Sequence, residues 1–255
     1  MKKHLVLLAA LALFVSGNLT VARAQTEITL IAPGGIRAPL NELVPAFERK
    51  TGYKVKMTIG SGLGTKKQVI QGEAFDVPIV EAPLAEVIAS GNVVASTEAP
   101  LANAVVGIAV RKSAPKPDIS TPEAVKKILL AAKSITYPDP AGGAAAGVSF
   151  TETLKKLGIA SEIQSKLTLA HGGANAMERV AQGETEIGLT FMSEMKNPGI
   201  EIVGPLPREI SKPTLFVGYV SSHAKDPAAA KQLLEFLSSP GAAEAYKADG
   251  MQPGR

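Results

Sequence analysis

The sequence predicts an α/β protein in which strand–turn–helix units surround a single cleft. Three observations predict it. Such units recur along the chain, and four of them turn on glycine-rich segments at residues 33–35, 60–64, 139–147 and 171–175. A Pro-rich run, KSAPKPDISTP, breaks the apolar pattern near the middle and marks a crossover between two parts. The length, 255 residues, fits one large domain or two small ones, and 45% hydrophobic residues suffice for a core.

Residues 27–31 read as a strand, and residues 38–50 as a helix ending before Gly52. Residues 54–59 alternate charged or polar with apolar side chains, as a half-buried strand does. Gly60, Gly62 and Gly64 then resist both regular structures, and residues 65–71 resume at helical spacing. Residues 76–80 form a short apolar run suited to a covered parallel strand. Residues 84–90 are a short helix closed by Gly91, and residues 104–111 an apolar strand. Ser120 or Thr121 caps the helix that starts at Pro122, with Glu123 in its first turn.

Residues 134–137 are a brief strand, and residues 149–157 a helix stopped by Gly158. Strand 166–170, helix 176–182 and strand 187–191 follow. Residues 201–203 precede Gly204-Pro205-Leu206-Pro207, and strand 214–220 returns to the first part. Residues 226–238 and 242–247 close the chain as helices, and no sequence repeat recurs at a fixed period.

The first 24 residues read as a secretion signal. Lys2 and Lys3 precede a short apolar run at residues 5–15, and Ala22-Arg23-Ala24 has the form of a cleavage site. That run is shorter than the ~20 residues a membrane-spanning helix needs, so no stable membrane insertion is expected. The reading is a periplasmic, exported protein cut near Ala24. The signal carries three of the 27 basic residues and none of the 23 acidic ones, so the chain beyond it is nearly neutral. No global basic field supports nucleic-acid binding, and aromatics at 4% with no tryptophan offer few stacking platforms. Cysteine is absent and histidine occurs three times, which argues against thiol chemistry and a transition-metal site. GSGLGTKK fails both nucleotide fingerprints: Thr65 stands where the P-loop and the dinucleotide motif each need glycine. Neither a cofactor nor a metal is therefore expected.

A glycine-rich turn before a helix leaves backbone N–H groups unpaired at the positive end of the helix dipole, which suits an anion. In open α/β sheets ligands lie beyond the carboxyl ends of the strands. If two glycine turns belong to each part, all four face one cleft. That arrangement gathers Gly34, Gly35, Ser61, Gly62, the 141–147 loop and the 171–175 loop around a small anionic ligand.

Three stretches, GSGLGTKKQVIQGEAFDV, YPDPAGGAAAG with a helix ending in KKLGI, and ERVAQGETEIGLTF, resemble the molybdate-type branch of extracytoplasmic solute-binding proteins, the receptors of ABC importers. The resemblance covers nearly all of the chain beyond the signal, in order. It implies a two-lobed, type II periplasmic-binding-protein-like fold. Residues 25–106 and 214–255 would form lobe 1 and residues 107–213 lobe 2. It also implies a monomer that hands its ligand to an ABC permease. The sequence is similar as well to aconitate isomerases, exported enzymes on the same fold, although no catalytic motif matches residue by residue.

The resemblance carries binding roles over in part. Ser61 fits the family's second-loop serine, Ala145 or Ala146 its third-loop amide, and Asn175 or Ala176, beside Gly173, its fourth-loop amide. The family's first-loop serine is Gly35 here and its tyrosine is Phe191, so two hydroxyl donors are missing. That loss disfavours molybdate itself. Arg37 instead brings a guanidinium fork that suits a planar carboxylate, so a polycarboxylate ligand is expected at least equally.

Each residue also has a plainer reading. Ser61 serves as a helix cap, and Arg37 as a solvated side chain whose charge opposes the dipole. Glu81 caps the turn before Pro83 rather than acting as a base, and His171 bonds backbone rather than moving a proton. Glu194 pairs with Arg37 or Lys66, or faces water. If the protein is an isomerase, His171 and Glu81 are the candidate bases.

Overall fold

The structure, a computed structural model, describes residues 27–254; the expected signal segment lies outside them. The chain runs β1 (Glu27–Pro33), α1 (Arg37–Thr51), β2 (Lys54–Gly60), α2 (Gly62–Ile70), β3 (Val77–Glu81), α3 (Ala85–Ala89), β4 (Ala99–Ala104) and β5 (Val106–Arg111). It continues α4 (Pro122–Ala131), β6 (Ile135–Pro138), α5 (Ala145–Leu157), α6 (Ala160–Ile163), β7 (Leu167–Ala170), α7 (Gly173–Gln182), β8 (Ile187–Phe191) and β9 (Ile200–Pro205). It closes with β10 (Thr214–Gly218), α8 (Pro227–Leu237), α9 (Pro240–Ala248) and β11 (Gln252–Pro253).

These strands form two sheets, ordered β11-β4-β10-β3-β1-β2 and β7-β6-β8-β5-β9. In the first, β1 runs parallel to β2 and β3, while β10 is antiparallel to β3 and β4. In the second, β6 runs parallel to β7 and β8, while β5 is antiparallel to β8 and β9. The two orders therefore repeat one another: β2-β1-β3-β10-β4 matches β7-β6-β8-β5-β9 in position and in direction of pairing. Each sheet with its helices is one lobe of a two-lobed α/β fold. Only Val105 separates β4 in the first sheet from β5 in the second, and residues 206–213 carry the chain back.

Local chemistry explains most element ends. α1 turns Leu40, Leu43, Val44 and Phe47 inward, at the spacing of one helical face, and ends at Gly52 with φ 78°. Thr121, not Ser120, caps α4: its hydroxyl accepts the Ala124 N–H at 3.1 Å, with Pro122 as the first helical residue. Asp226 and Ser239 cap α8 and α9 in the same way. Asp76, only 3% exposed, is fully engaged just before β3. Its carboxylate accepts the N–H and the hydroxyl of Thr29 and the N–H of Lys225 at 2.6–2.7 Å, tying β3 to β1 and to the C-terminal segment.

Three of the differences from the sequence reading bear on the cleft. The strand expected over residues 104–111 is β5, starting at Val106; Ala104 instead ends β4, an unexpected strand in the other sheet. The helix expected at residue 149 starts four residues earlier, because Gly147 packs flush on the Pro138 carbonyl and lets α5 begin against β6. Gly62 and Gly64 lie in the first turn of α2 rather than in a loop before it.

Candidate functional site

A cavity of about 630 Å³ opens between the lobes. Residues at or just past the carboxyl ends of all six parallel strands line it: Gly34 after β1, Ser61 after β2, Glu81 ending β3, Asp139 after β6, His171 after β7 and Phe191 ending β8. The structure thus brings together Gly34, Gly35, Arg37, Ser61, Gly62, Glu81, Ala145, Ala146, His171, Gly173 and Phe191. Asn175 is not in the lining. Its side-chain oxygen accepts the His171 N–H at 3.3 Å, so it shapes the loop from behind.

The lobes touch at one side of the mouth. The Leu63 N–H at the start of α2 donates to the Gly143 carbonyl of the opposite loop at 3.1 Å. Gly143 has φ 86°, and a Cβ there would lie 2.8 Å from Ser61 Oγ. Ser61 is the N-cap of α2, its Oγ accepting the Gly64 N–H at 3.2 Å. On the cavity floor the Ser193 hydroxyl of the second lobe donates to the Gly35 carbonyl of the first at 2.7 Å.

Positions 35 and 191 are structurally coupled. A Cβ on Gly35 would fall 2.8 Å from the Phe191 ring and 2.9 Å from the Phe216 ring, and those rings meet edge to face at 6.1 Å between centroids. With phenylalanine at position 191, the first loop has room for nothing larger than glycine at position 35. Beside the Ser193–Gly35 bond the floor is accordingly formed by aromatic rings, and the charged groups stand on the walls.

Three of the lining side chains are carboxyls: Glu81, Asp139 and Glu194. Glu81 is 5% exposed and caps nothing: α3 begins without any side-chain cap. This corrects the plainer reading of Glu81, because the strand ends by turning that side chain back over Gly62. Among the described residues no donor bonds its oxygens. Burial pushes its carboxyl up to about 8, a shift opposed by the Lys66 ammonium and increased by the Glu194 charge. Lys66 does not reach it as a bonded partner; its ammonium donates to the Pro83 carbonyl at 3.1 Å. Burial also lowers the affinity of Lys66 for its proton.

Glu194, in the turn after β8, was open in the sequence to pairing or to solvent. It lies in the lining, accepts the Thr190 hydroxyl, and is bonded by the Phe191 and Gly173 amides. Burial raises its pKa, while the Thr190 bond, those amides and the Arg37 charge work the other way. Arg37 thus has a carboxylate near it across the start of α1, which offsets the dipole conflict noted in the sequence. Nothing in the local sequence marks Glu194, because its placement follows from the pairing of β8 with β5 and β6.

The chain matches the family of bacterial extracellular solute-binding proteins over residues 28–252. It is 33% identical over 249 residues to the aconitate isomerase of a Pseudomonas species, covering 94% of this chain and 93% of that one. It is 29% identical over 241 residues to the molybdate-binding protein ModA of Azotobacter vinelandii, covering 92% and 93% of the two chains. Among solved structures, the A. vinelandii periplasmic molybdate-binding protein superposes with a TM-score of 0.74 at 18% identity, over 89% of this chain and all of that one. No helix among the described residues is long and apolar enough to cross a membrane. From its match along nearly the whole described length, the chain belongs to the bacterial extracellular solute-binding proteins.

Proposed function

We propose that the cleft binds an unsaturated organic polycarboxylate and moves a proton on it, interconverting trans- and cis-aconitate or a close analogue. The observation that carries this reading is Glu81: a carboxyl in the cavity wall, 5% exposed, with no donor among the described residues, which burial pushes up to about 8. A receptor has little use for such a group. A proton-transfer enzyme needs one whose pKa lies near the working pH. The identity to an aconitate isomerase supports the same choice.

The wall chemistry also disfavours a tetrahedral dianion. Glu194 already takes the Gly173 amide at the start of α7, and Ser61 takes the Gly64 amide in α2. An oxyanion would meet two glutamates where it needs donors. A cavity of about 630 Å³ is of the size used for organic ligands. Arg37 clamps a substrate carboxylate by its two-pronged guanidinium, and His171 stands at the rim.

We further infer that residues 1–24 direct export and are removed, so that the enzyme works in the periplasm. The lobes are taken as residues 25–106 with 214–255, and residues 107–213. A second reading, a receptor delivering an anion to an ABC permease, is favoured by the family and by the glycine-started helices on both walls.

Ultraviolet absorbance of trans-aconitate mixed with the purified protein separates the two. Drift toward the equilibrium isomer ratio is expected; an unchanged ratio over hours, with heat of binding in calorimetry, leaves only the receptor. Arg37→Ala is expected to weaken trans-aconitate binding about 10- to 100-fold, from the loss of roughly 1.5–3 kcal/mol of charged hydrogen bonding. Unchanged affinity would remove Arg37 from the site.

A further inference from the structure

The repeated strand order makes β1, β2 and β3 of one lobe equivalent to β6, β7 and β8 of the other, and α2 equivalent to α7. The equivalence extends to one pair of side chains. Glu81 ends β3, and Glu194 stands three residues beyond the end of β8. Each folds back over the glycine that opens the preceding helix. A Cβ on Gly62 would lie 2.2 Å from Glu81 Oε2, and a Cβ on Gly173 would lie 2.4 Å from Glu194 Oε2. In both lobes the same tripeptide, Gln-Gly-Glu, at residues 71–73 and 182–184, leads from the helix toward the strand. The two glycines thus admit one carboxyl from each lobe to a shared cavity.

The two environments are unequal. Glu194 receives the Thr190 hydroxyl, the amides of Phe191 and Gly173, and the field of Arg37, all of which favour a charge. Among the described residues Glu81 receives no hydrogen bond, and its facing charges are Lys66 on α2 and Glu194 across the cleft. Burial raises both carboxyls, but only Glu194 has donors and a cation placed to hold a charge. Unequal carboxyls in one site mark separate acid and base roles.

We propose that Glu194 is the base and Glu81 the acid of a two-group allylic proton shift, acting from opposite walls of the cleft. The inference rests on the isomerase reading above. Glu194 takes a proton from the substrate's methylene carbon. The electron pair of that C–H bond becomes the new C=C bond, and the old π pair takes the Glu81 proton at the former vinylic carbon. The substrate gains and loses one proton, and no oxidant or reductant enters. Glu194 ends protonated and Glu81 ionised, and proton exchange with solvent resets the pair.

The test is isomerisation of trans-aconitate in D₂O, followed by proton NMR. Because the delivered proton comes from Glu81, already exchanged with solvent, each product molecule is expected to carry one deuterium after its first turnover. Glu81→Gln is expected to slow isomerisation at least 100-fold while Glu194 still exchanges the methylene protons. Glu194→Gln is expected to lose both reactions. Calorimetric affinity for trans-aconitate is expected to stay within about threefold in both variants, which a merely structural role would not leave intact. If the wild-type protein isomerises but its first product carries the substrate's own hydrogen, or either variant keeps more than a tenth of the rate, the pair is wrong and the isomerase stands. If the wild-type protein binds without turnover, the isomerase reading and the pair fall together.

Discussion

Raising the pH from 5 to 8 is expected to destabilise the folded protein by several kcal/mol, and Glu81→Gln is expected to remove most of that loss. In the folded chain burial holds a proton on Glu81 up to about pH 8, whereas the unfolded chain releases it near the ordinary value of 4.5. Between those values the folded state binds more protons, so stability falls as pH rises. Below 4.5 both states are protonated and the contribution is fully present. The upper limit is about 5 kcal/mol, from the displacement of this one group. Glu194, also raised by burial, acts in the same direction. Lys66, lowered from 10.5, acts in the opposite one, so the comparison is made between variant and wild type at each pH. Denaturant unfolding at pH 5, 6, 7 and 8 measures it. Parallel curves for the wild type and Glu81→Gln would show that Glu81 is ionised and paired instead.

Gly147→Ala is expected to cost about 3 kcal/mol or more, and to weaken ligand binding as well. The added methyl group would lie 2.0 Å from the Pro138 carbonyl oxygen and 3.0 Å from Pro140 N. Both neighbours are backbone, so no side chain can rotate out of the way. The start of α5 must then move off the end of β6, taking Ala145 and Ala146 out of the cavity wall. Gly142→Ala is the control. Its methyl group would meet Asp139 no closer than 3.4 Å, an ordinary contact, so a change within about 1 kcal/mol is expected. Equal losses in the two variants would refute the packing argument.

The parts of the fold legible in the sequence are those with local causes. Glycines after short apolar runs located all four loops that line the cleft, and a Thr-Pro pair located the start of α4. β4 was missed because APLANA has weak strand preference; pairing with β10 and β11 makes it a strand, and those partners lie more than a hundred residues away. The start of α5 was misplaced because Gly147 looks like a loop residue, whereas its need is close approach to β6. The cavity lining was legible in its amide-bearing loops and in Arg37. Its acidic character was not. Glu81 was visible as a residue at a strand end, but its lack of donors is a property of the surrounding pack. Glu194 gained its place only through tertiary pairing.

The junction at Val105 limits how this molecule breathes. With one residue between β4 and β5, a change of angle between the halves must be absorbed by the dihedrals around that residue and by residues 206–213, where Pro207 and Pro213 stiffen the return. Such a short double tether allows swinging about one axis and forbids sliding. Among the described residues, a swing that parts the walls must break the Leu63–Gly143 backbone bond together with the Ser193–Gly35 and Lys196–Asp249 contacts that also join the halves.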